Sequence, residues 1–124
     1  MVEVVKYFLD TYALVEIVRG NPLYKKFVDK ALYTSLPNLY ELYYNYLKDY
    51  GKEAAKDVFY RFFDYIVFIK TEHIFKASAF RLDHKNKDIS YVDALGYAIA
   101  KVEDMKFVTG DKAFKGMKNV EFVP

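Results

Sequence analysis

Short apolar runs alternate with longer stretches of helical periodicity over the whole chain. Strands are predicted at 4–9, 32–36, 66–69, 106–109 and 120–123, and helices at 11–18, 22–31, 37–50, 52–64, 71–82 and 90–102. Such alternation favours a parallel sheet with helices on both faces. The run 66–69 is entirely apolar, as expected of a strand inside a parallel sheet. No repeat or linker interrupts the pattern, so we predict a single α/β domain over residues 1–124.

The composition excludes several classes of protein. With 53% hydrophobic residues the chain can bury a sizeable core, and its net charge of +2 is too small to argue for nucleic-acid binding by itself. The absence of cysteine excludes disulfides, a thiolate nucleophile and zinc–cysteine sites. No apolar stretch approaches the roughly 18 residues that a membrane span needs, so we expect a cytoplasmic protein. His73 and His84 pair with no serine or cysteine in any motif, and we expect them to be structural or exposed.

Four acidic residues each follow a short apolar run: Asp10, Glu41, Asp93 and Asp111. The carboxyl ends of parallel strands meet at one edge of a sheet, and this edge is where ligands bind in open α/β folds. We therefore expect the four carboxylates to gather at that edge.

Each of the four acids also has a local explanation. Asp10 fits a helix N-cap, and Asp93 fits the acidic position of a capping box that begins at Ser90. Glu41 lies on a polar helix face, and Asp111 lies in a tight turn after a strand. The functional interpretation therefore depends on their joint placement rather than on any one of them.

Carboxylates gathered at one edge would repel one another. At about 5 Å and an effective dielectric constant near 20, each pair would be unfavourable by roughly 3 kcal/mol. A cation must offset this repulsion, or some of the acids must stay protonated. Oxygen ligands without histidine or cysteine suit Mg²⁺ or Mn²⁺ rather than zinc. Metals held in this way typically act on phosphates, where they activate water and stabilise the leaving oxygen.

Other families with acidic sheet edges do not match the sequence. A response-regulator receiver needs an aspartate at the end of the third strand, where this chain has Ile69-Lys70. A haloacid-dehalogenase-type phosphatase needs Asp-x-Asp after the first strand, where this chain has Asp10-Thr11-Tyr12. The chain has no Gly-rich phosphate loop, which excludes a P-loop nucleotidase.

Four segments in this order resemble the PIN-domain family: Phe-Leu-Asp-Thr-Tyr-Ala-Leu at 8–14, Glu41 in the helix after the second strand, Ser-Tyr-Val-Asp-Ala-Leu at 90–95 and Thr-Gly-Asp at 109–111. The chain looks closest to the small VapC-type toxins of toxin–antitoxin pairs. The resemblance covers essentially the entire chain. It implies a three-layer α/β/α sandwich around a parallel sheet that is usually five-stranded, in the order 3-2-1-4-5.

The resemblance also implies an Mg²⁺- or Mn²⁺-dependent endoribonuclease whose catalytic acids are Asp10, Glu41, Asp93 and Asp111. Asp10, Asp93 and Asp111 would bind the metal, and Glu41 would complete the shell or orient the attacking water. The products would carry 5′-phosphate and 3′-hydroxyl ends. The hydroxyls of Thr11 and Thr109 stand where the family often has one near the metal, and Asp88 is a weaker acidic candidate.

The expected partners are an RNA substrate, a cognate antitoxin and a second copy of this chain. Lysines near the active edge are candidates for RNA contacts: Lys85, Lys87, Lys112 and Lys115. The tyrosine-rich helix 39–50 carries more apolar bulk than one buried face needs, so we expect it to contribute to a dimer or antitoxin surface. The alternatives are a non-catalytic PIN-like module that binds RNA or protein, or a PIN nuclease with another role, such as RNA processing or action on single-stranded DNA.

Overall fold

The computed structural model describes residues 4–124. The strands are β1 (Lys6–Leu9), β2 (Ala31–Tyr33), β3 (Met105–Thr109) and β4 (Val120–Phe122). The α-helices are α1 (Thr11–Val18), α2 (Leu36–Tyr50), α3 (Lys52–Phe62), α4 (Thr71–Asp83) and α5 (Tyr91–Val102). Short 3₁₀ helices cover Pro22–Phe27, Phe63–Tyr65 and Lys112–Phe114. Every predicted helix except 22–31 is therefore present as an α-helix, with ends that differ by at most two residues.

The strands form one parallel sheet in the order β2-β1-β3-β4. The parallel sheet predicted from the sequence is confirmed. The predicted strand 66–69 is reduced to a single parallel bridge between Ile66 and Thr34, next to β2. With that bridge counted as a strand, the order agrees with the predicted 3-2-1-4-5. The bridge stays short because β2 ends at Tyr33 and α2 already begins at Leu36, so little extended backbone remains to pair with.

The predicted helix 22–31 is wrong. The 3₁₀ helix ends at Phe27, and Ala31 already belongs to β2. A 3₁₀ helix has 3.0 rather than 3.6 residues per turn, so side chains four positions apart no longer lie on one face. Phe27 is buried, whereas Leu23 is 57% exposed.

Helices cover both faces of the sheet, as predicted. On one face Leu9 and Val108 pack with residues of α1, α2 and α3. On the other face Phe8 and Phe107 pack with residues of α4 and α5. Neighbouring residues of a strand point to opposite faces, and this alternation divides the core into two clusters.

Gly96 sets how closely α5 approaches the sheet. A Cβ atom at this position would lie 2.9 Å from Cε1 of Phe8 and 3.2 Å from Cε1 of Phe107. Because glycine leaves this space free, the helix lies directly against β1 and β3. This packing also places the first turn of α5, which carries Asp93, beside the carboxyl ends of those strands.

Both histidines have structural roles. Buried His73 accepts a hydrogen bond at Nδ1 from the backbone N–H of Lys70 (2.9 Å) and donates from Nε2 to Glu103 (2.7 Å). Hydrogen bonds from His73 and Lys70 lower the pKa of Glu103. Nδ1 of His84 donates to the carbonyl of Phe80 (2.9 Å). These contacts join α4 to the end of α5 and close the C-terminal turn of α4.

Among the helices of residues 4–124, none is long and apolar enough to cross a membrane.

Candidate active site

Asp10 is the most buried acid of the site. It stands between β1 and α1, and only 2% of its surface is exposed. Its Oδ1 accepts a hydrogen bond from the backbone N–H of Ala13 (2.8 Å), which is the N-cap interaction expected from the sequence. Its Oδ2 accepts a short hydrogen bond from the hydroxyl of Thr109 at the end of β3. Asp10 therefore caps a helix and also joins two central strands.

Burial raises the pKa of Asp10 from its ordinary value of 3.8 to about 7. The negative charges of Asp93 and Asp111 raise the pKa further, whereas the hydrogen bonds from Thr109 and Ala13 oppose the shift. Helix capping alone does not require a buried carboxyl group next to two other acids. A strongly perturbed acid of this kind is typical of a functional site.

Asp93 lies in the first turn of α5. Its backbone N–H donates to the hydroxyl of the N-cap Ser90 (3.1 Å), so the predicted helix cap is present. Burial raises the pKa of Asp93, and the charges of Asp111 and Glu41 add to the rise. The charges that act on Asp93 thus come from Asp111, which follows β3, and from Glu41 in α2, and its local capping role does not explain them.

Asp111 follows β3 and caps a 3₁₀ helix. Its Oδ1 accepts a hydrogen bond from the backbone N–H of Ala113 (3.0 Å), and its own N–H donates to Oγ1 of Thr109 (3.0 Å). The Thr109 hydroxyl therefore receives the Asp111 N–H while it donates to Asp10. One buried hydroxyl fixes two of the acids relative to each other.

Glu41 is held by a partly buried network of polar side chains. The hydroxyl of Thr11 donates to Oε1 of Glu41 (2.5 Å) and accepts from Nδ2 of Asn38 (3.1 Å). The side chain of Asn38, fully buried, also accepts a hydrogen bond from the hydroxyl of Ser35 (2.5 Å). The sequence does not predict the burial of Asn38, because helical spacing does not show what lies opposite a polar residue.

The charges of Asp93 and Asp111 act on Asp10, and the charge of Glu41 acts on Asp93, so the four acids lie within electrostatic range of one another. They do not form a finished metal site, because no group of three acidic or histidine side chains within residues 4–124 is arranged to hold a metal ion. The chemistry of the donors nevertheless fits a hard cation: Asp10, Asp93 and Asp111 offer only oxygen, and the charge of Asp111 raises the pKa of both Asp10 and Asp93. A bound divalent ion would favour their ionised forms.

The lysines predicted to contact RNA are all exposed. Nζ of Lys87 donates to the carbonyl of Ala113 (3.4 Å), which brings the loop before α5 against the loop after β3. Lys112 lies next to Asp111 in the chain, and Lys115 lies over the ring of Phe122. Lys85 lines a groove of about 470 Å³ between α4 and α5. Asp88 is exposed, and its loop does return the chain to the edge that carries Asp93.

Comparison with known proteins gives the same fold. The family model of the PIN domain matches residues 7–120. A toxin–antitoxin complex from Klebsiella pneumoniae superposes with a TM-score of 0.74 at 20% identity, covering 93% of this chain and 95% of that chain. VapBC2 from Rickettsia felis, bound to a DNA fragment from its promoter, gives a TM-score of 0.74 at 22% identity, with 96% and 98% covered. VapC20 from Mycobacterium tuberculosis, a sarcin–ricin loop cleaving toxin, gives 0.72 at 18% identity, with 92% and 98% covered. None of the curated proteins matches the chain.

Proposed function

Because this chain belongs to the PIN-domain family, we propose that it is a metal-dependent endoribonuclease and the toxin of a toxin–antitoxin pair. The observation that carries the proposal is the almost complete burial of Asp10, whose pKa is raised by that burial and by the charges of Asp93 and Asp111. A fold that needed Asp10 only as a helix cap would gain nothing from placing other acids beside it. The similarity to toxins of toxin–antitoxin complexes supports the biological role.

Asp10, Asp93 and Asp111 would hold Mg²⁺ or Mn²⁺. The ion, when bound, would lower the pKa of a water and stabilise the leaving oxygen of the phosphodiester. Glu41 would orient the attacking water or complete the ion's shell, because the Thr11 hydroxyl already fixes one of its oxygens at 2.5 Å. Thr109 would keep Asp10 in place through its hydroxyl. The resulting products would carry 5′-phosphate and 3′-hydroxyl ends.

Positive charge near this edge would attract RNA. Lys87 is the strongest candidate because its contact with Ala113 places it beside the loop that follows Asp111. Lys112 and Lys115 belong to the same loop, and Lys85 lies in the adjoining groove. Contacts between lysines and phosphates release bound counterions, so RNA affinity should fall as salt rises.

Cleavage of RNA by the full chain is expected with Mg²⁺ or Mn²⁺ and is expected to stop in EDTA. The measurement is gel analysis of structured and unstructured RNA, with the ends of the products identified by their sensitivity to phosphatase and polynucleotide kinase. Restoration of cleavage by excess Mg²⁺ after EDTA is the control for irreversible loss of the fold. Cleavage that persists in EDTA would contradict the metal mechanism.

One observation favours a second candidate, a PIN-like module that binds RNA or protein without cutting it. In the described part of the chain, no three acids are already arranged around a metal position. The same assay separates the two functions: RNA binding without cleavage under any divalent ion would favour the module. Cleavage restricted to one precursor RNA would instead favour a role in RNA processing.

The aromatic surface of α2 is proposed to bind the antitoxin and a second copy of the chain. Tyr40 and Tyr44 are 73% and 57% exposed. Beside them is a largely apolar groove of about 550 Å³, lined by Leu36, Pro37, Tyr40, Tyr43, Phe59 and Ile69. Exposed apolar patches of this kind typically mark protein interfaces.

Replacing both Tyr40 and Tyr44 by serine is expected to weaken these associations at least about tenfold, because aromatic side chains carry much of the binding energy at interfaces. The measurement is sedimentation of the chain alone and with the product of an adjacent small open reading frame. Phe75→Ser is the matched control, since Phe75 is 69% exposed on α4 in the opposite helical layer. An equal loss of affinity in Phe75→Ser, or no loss in the double variant, would contradict the proposal that the aromatic surface of α2 is the binding surface.

A further inference from the structure

The ring of Tyr12 lies directly against the backbone of Gly110. A Cβ atom at Gly110 would stand 2.1 Å from Cε1 and 2.4 Å from Cζ of Tyr12, so any larger residue there would displace the ring. Tyr12 is in the first turn of α1, two residues after Asp10, and Gly110 lies between Thr109 and Asp111. The contact therefore fixes an aromatic ring between the two segments that carry Asp10 and Asp111.

Tyr12 differs from its neighbours in its exposure. It is 40% exposed, whereas Asp10 is 2% and Thr109 0% exposed. The same ring that packs on Gly110 thus presents part of its surface to solvent beside the acids. A side chain needed only to fill space between the two segments would not require this exposed aromatic surface.

We propose that Tyr12 is a positioning residue that stacks on a base of single-stranded RNA next to the phosphodiester that is cut. This inference rests on the proposed nuclease function. It adds a contact to an RNA base, whereas the lysines proposed above would contact the phosphates. Every base has a π-face, so stacking on one ring holds RNA with little preference for its sequence. Gly110 supports the ring, because its missing side chain lets Tyr12 settle on the backbone.

The test measures binding of fluorescently labelled single-stranded six-nucleotide RNAs in EDTA, where the proposed cleavage is off. Tyr12→Leu is expected to weaken binding roughly 5- to 150-fold, the range that loss of one base–aromatic stack implies. Tyr12→Phe keeps the ring and is expected to bind within about twofold of the wild type. Gly110→Ala is expected to weaken binding like Tyr12→Leu, because the added Cβ displaces the ring. Tyr60→Leu is the matched control, since Tyr60 is 66% exposed on α3.

A scan of abasic nucleotides distinguishes stacking from mere support of the fold. At one position of the RNA, removal of the base should reduce the affinity of the wild type as much as the Tyr12→Leu substitution does. The same abasic RNA should bind the Tyr12→Leu variant almost as well as the intact RNA does. If Tyr12 only supported the fold, the losses of affinity from base removal and from Tyr12→Leu would simply add. Independent losses, full affinity in Tyr12→Leu, or no binding of these RNAs by the wild type would overturn the inference. Cleavage of the same RNAs by the wild type in Mg²⁺ is scored separately, so failure of the nuclease function is distinguishable from failure of the stacking role.

Discussion

Asp10→Asn is expected to reduce metal-dependent RNA cleavage at least about a hundredfold, the order of magnitude for removing one central electrostatic group from a catalytic site. Asparagine keeps the shape of the side chain and can still accept the hydrogen bond from Ala13, which Asp10 accepts at 2.8 Å. It removes the negative charge that would bind the cation. The expected loss is therefore one of chemistry rather than of the helix cap.

The measurement is the initial rate of RNA cleavage over a range of Mg²⁺ concentrations. Asp57→Asn is the matched control, because Asp57 is an exposed aspartate on α3 and the substitution is the same. The control should cleave RNA at the wild-type rate. Equal activity of Asp10→Asn and the wild type would remove Asp10 from the proposed metal site, whatever the activity of the other variants.

The same substitution is expected to stabilise the metal-free protein at neutral and higher pH. The pKa of Asp10 is raised from 3.8 to about 7 by burial and by the charges of Asp93 and Asp111. The folded state therefore holds the proton more tightly than the unfolded state does. The stability that this proton contributes is complete below about pH 4, is lost progressively as pH rises, and is gone above about pH 7. A shift of about three pKa units corresponds to roughly 4 kcal/mol.

Urea unfolding of both proteins in EDTA between pH 4 and pH 8.5 measures this effect. The two free energies of unfolding should be similar near pH 4, and Asp10→Asn should become more stable by up to about 4 kcal/mol above pH 7. Titrating groups that do not interact with Asp10 are common to both proteins and cancel in the difference, whereas Asp93 and Asp111 are coupled to Asp10 and contribute to it. Saturating Mg²⁺ at pH 8 should stabilise the wild type more than the variant, because ligands stabilise the state that binds them. A difference in stability that does not change with pH would contradict the raised pKa.

The fold was largely predictable because its signals are local. Apolar runs that alternate with helical spacing predicted the parallel sheet and the helices on both of its faces, and the structure confirms both. The edge of the sheet next to β2 was less predictable. Residues 66–69 are as apolar as a central strand, yet Ile66 makes a single bridge because its neighbour has little backbone left to pair with. The pairing of a strand depends on its neighbour's length, which the strand's own residues do not encode.

For the acids of the candidate site, too, the sequence predicts one part and the tertiary structure decides the other. Sequence alone identified Asp10, Glu41, Asp93 and Asp111 and placed them after apolar runs, since the order of residues along strands and helices is local information. The tertiary structure decided that Asp10 is almost completely buried and that the other acids lie close enough to affect its pKa or that of Asp93. Burial and mutual repulsion depend on which segments meet in space.

The contact of Tyr12 with Gly110 and the burial of Asn38 had no signal in the sequence that could have revealed them. The two partners of the first contact are 98 positions apart, and the residues around Asn38 come from different helices. Sequence by itself therefore determined the type of fold and the identity of the acids. Only tertiary structure decided which acid is desolvated, what holds Glu41 and which ring stands beside the site, because desolvation and packing arise between segments that are distant in the chain.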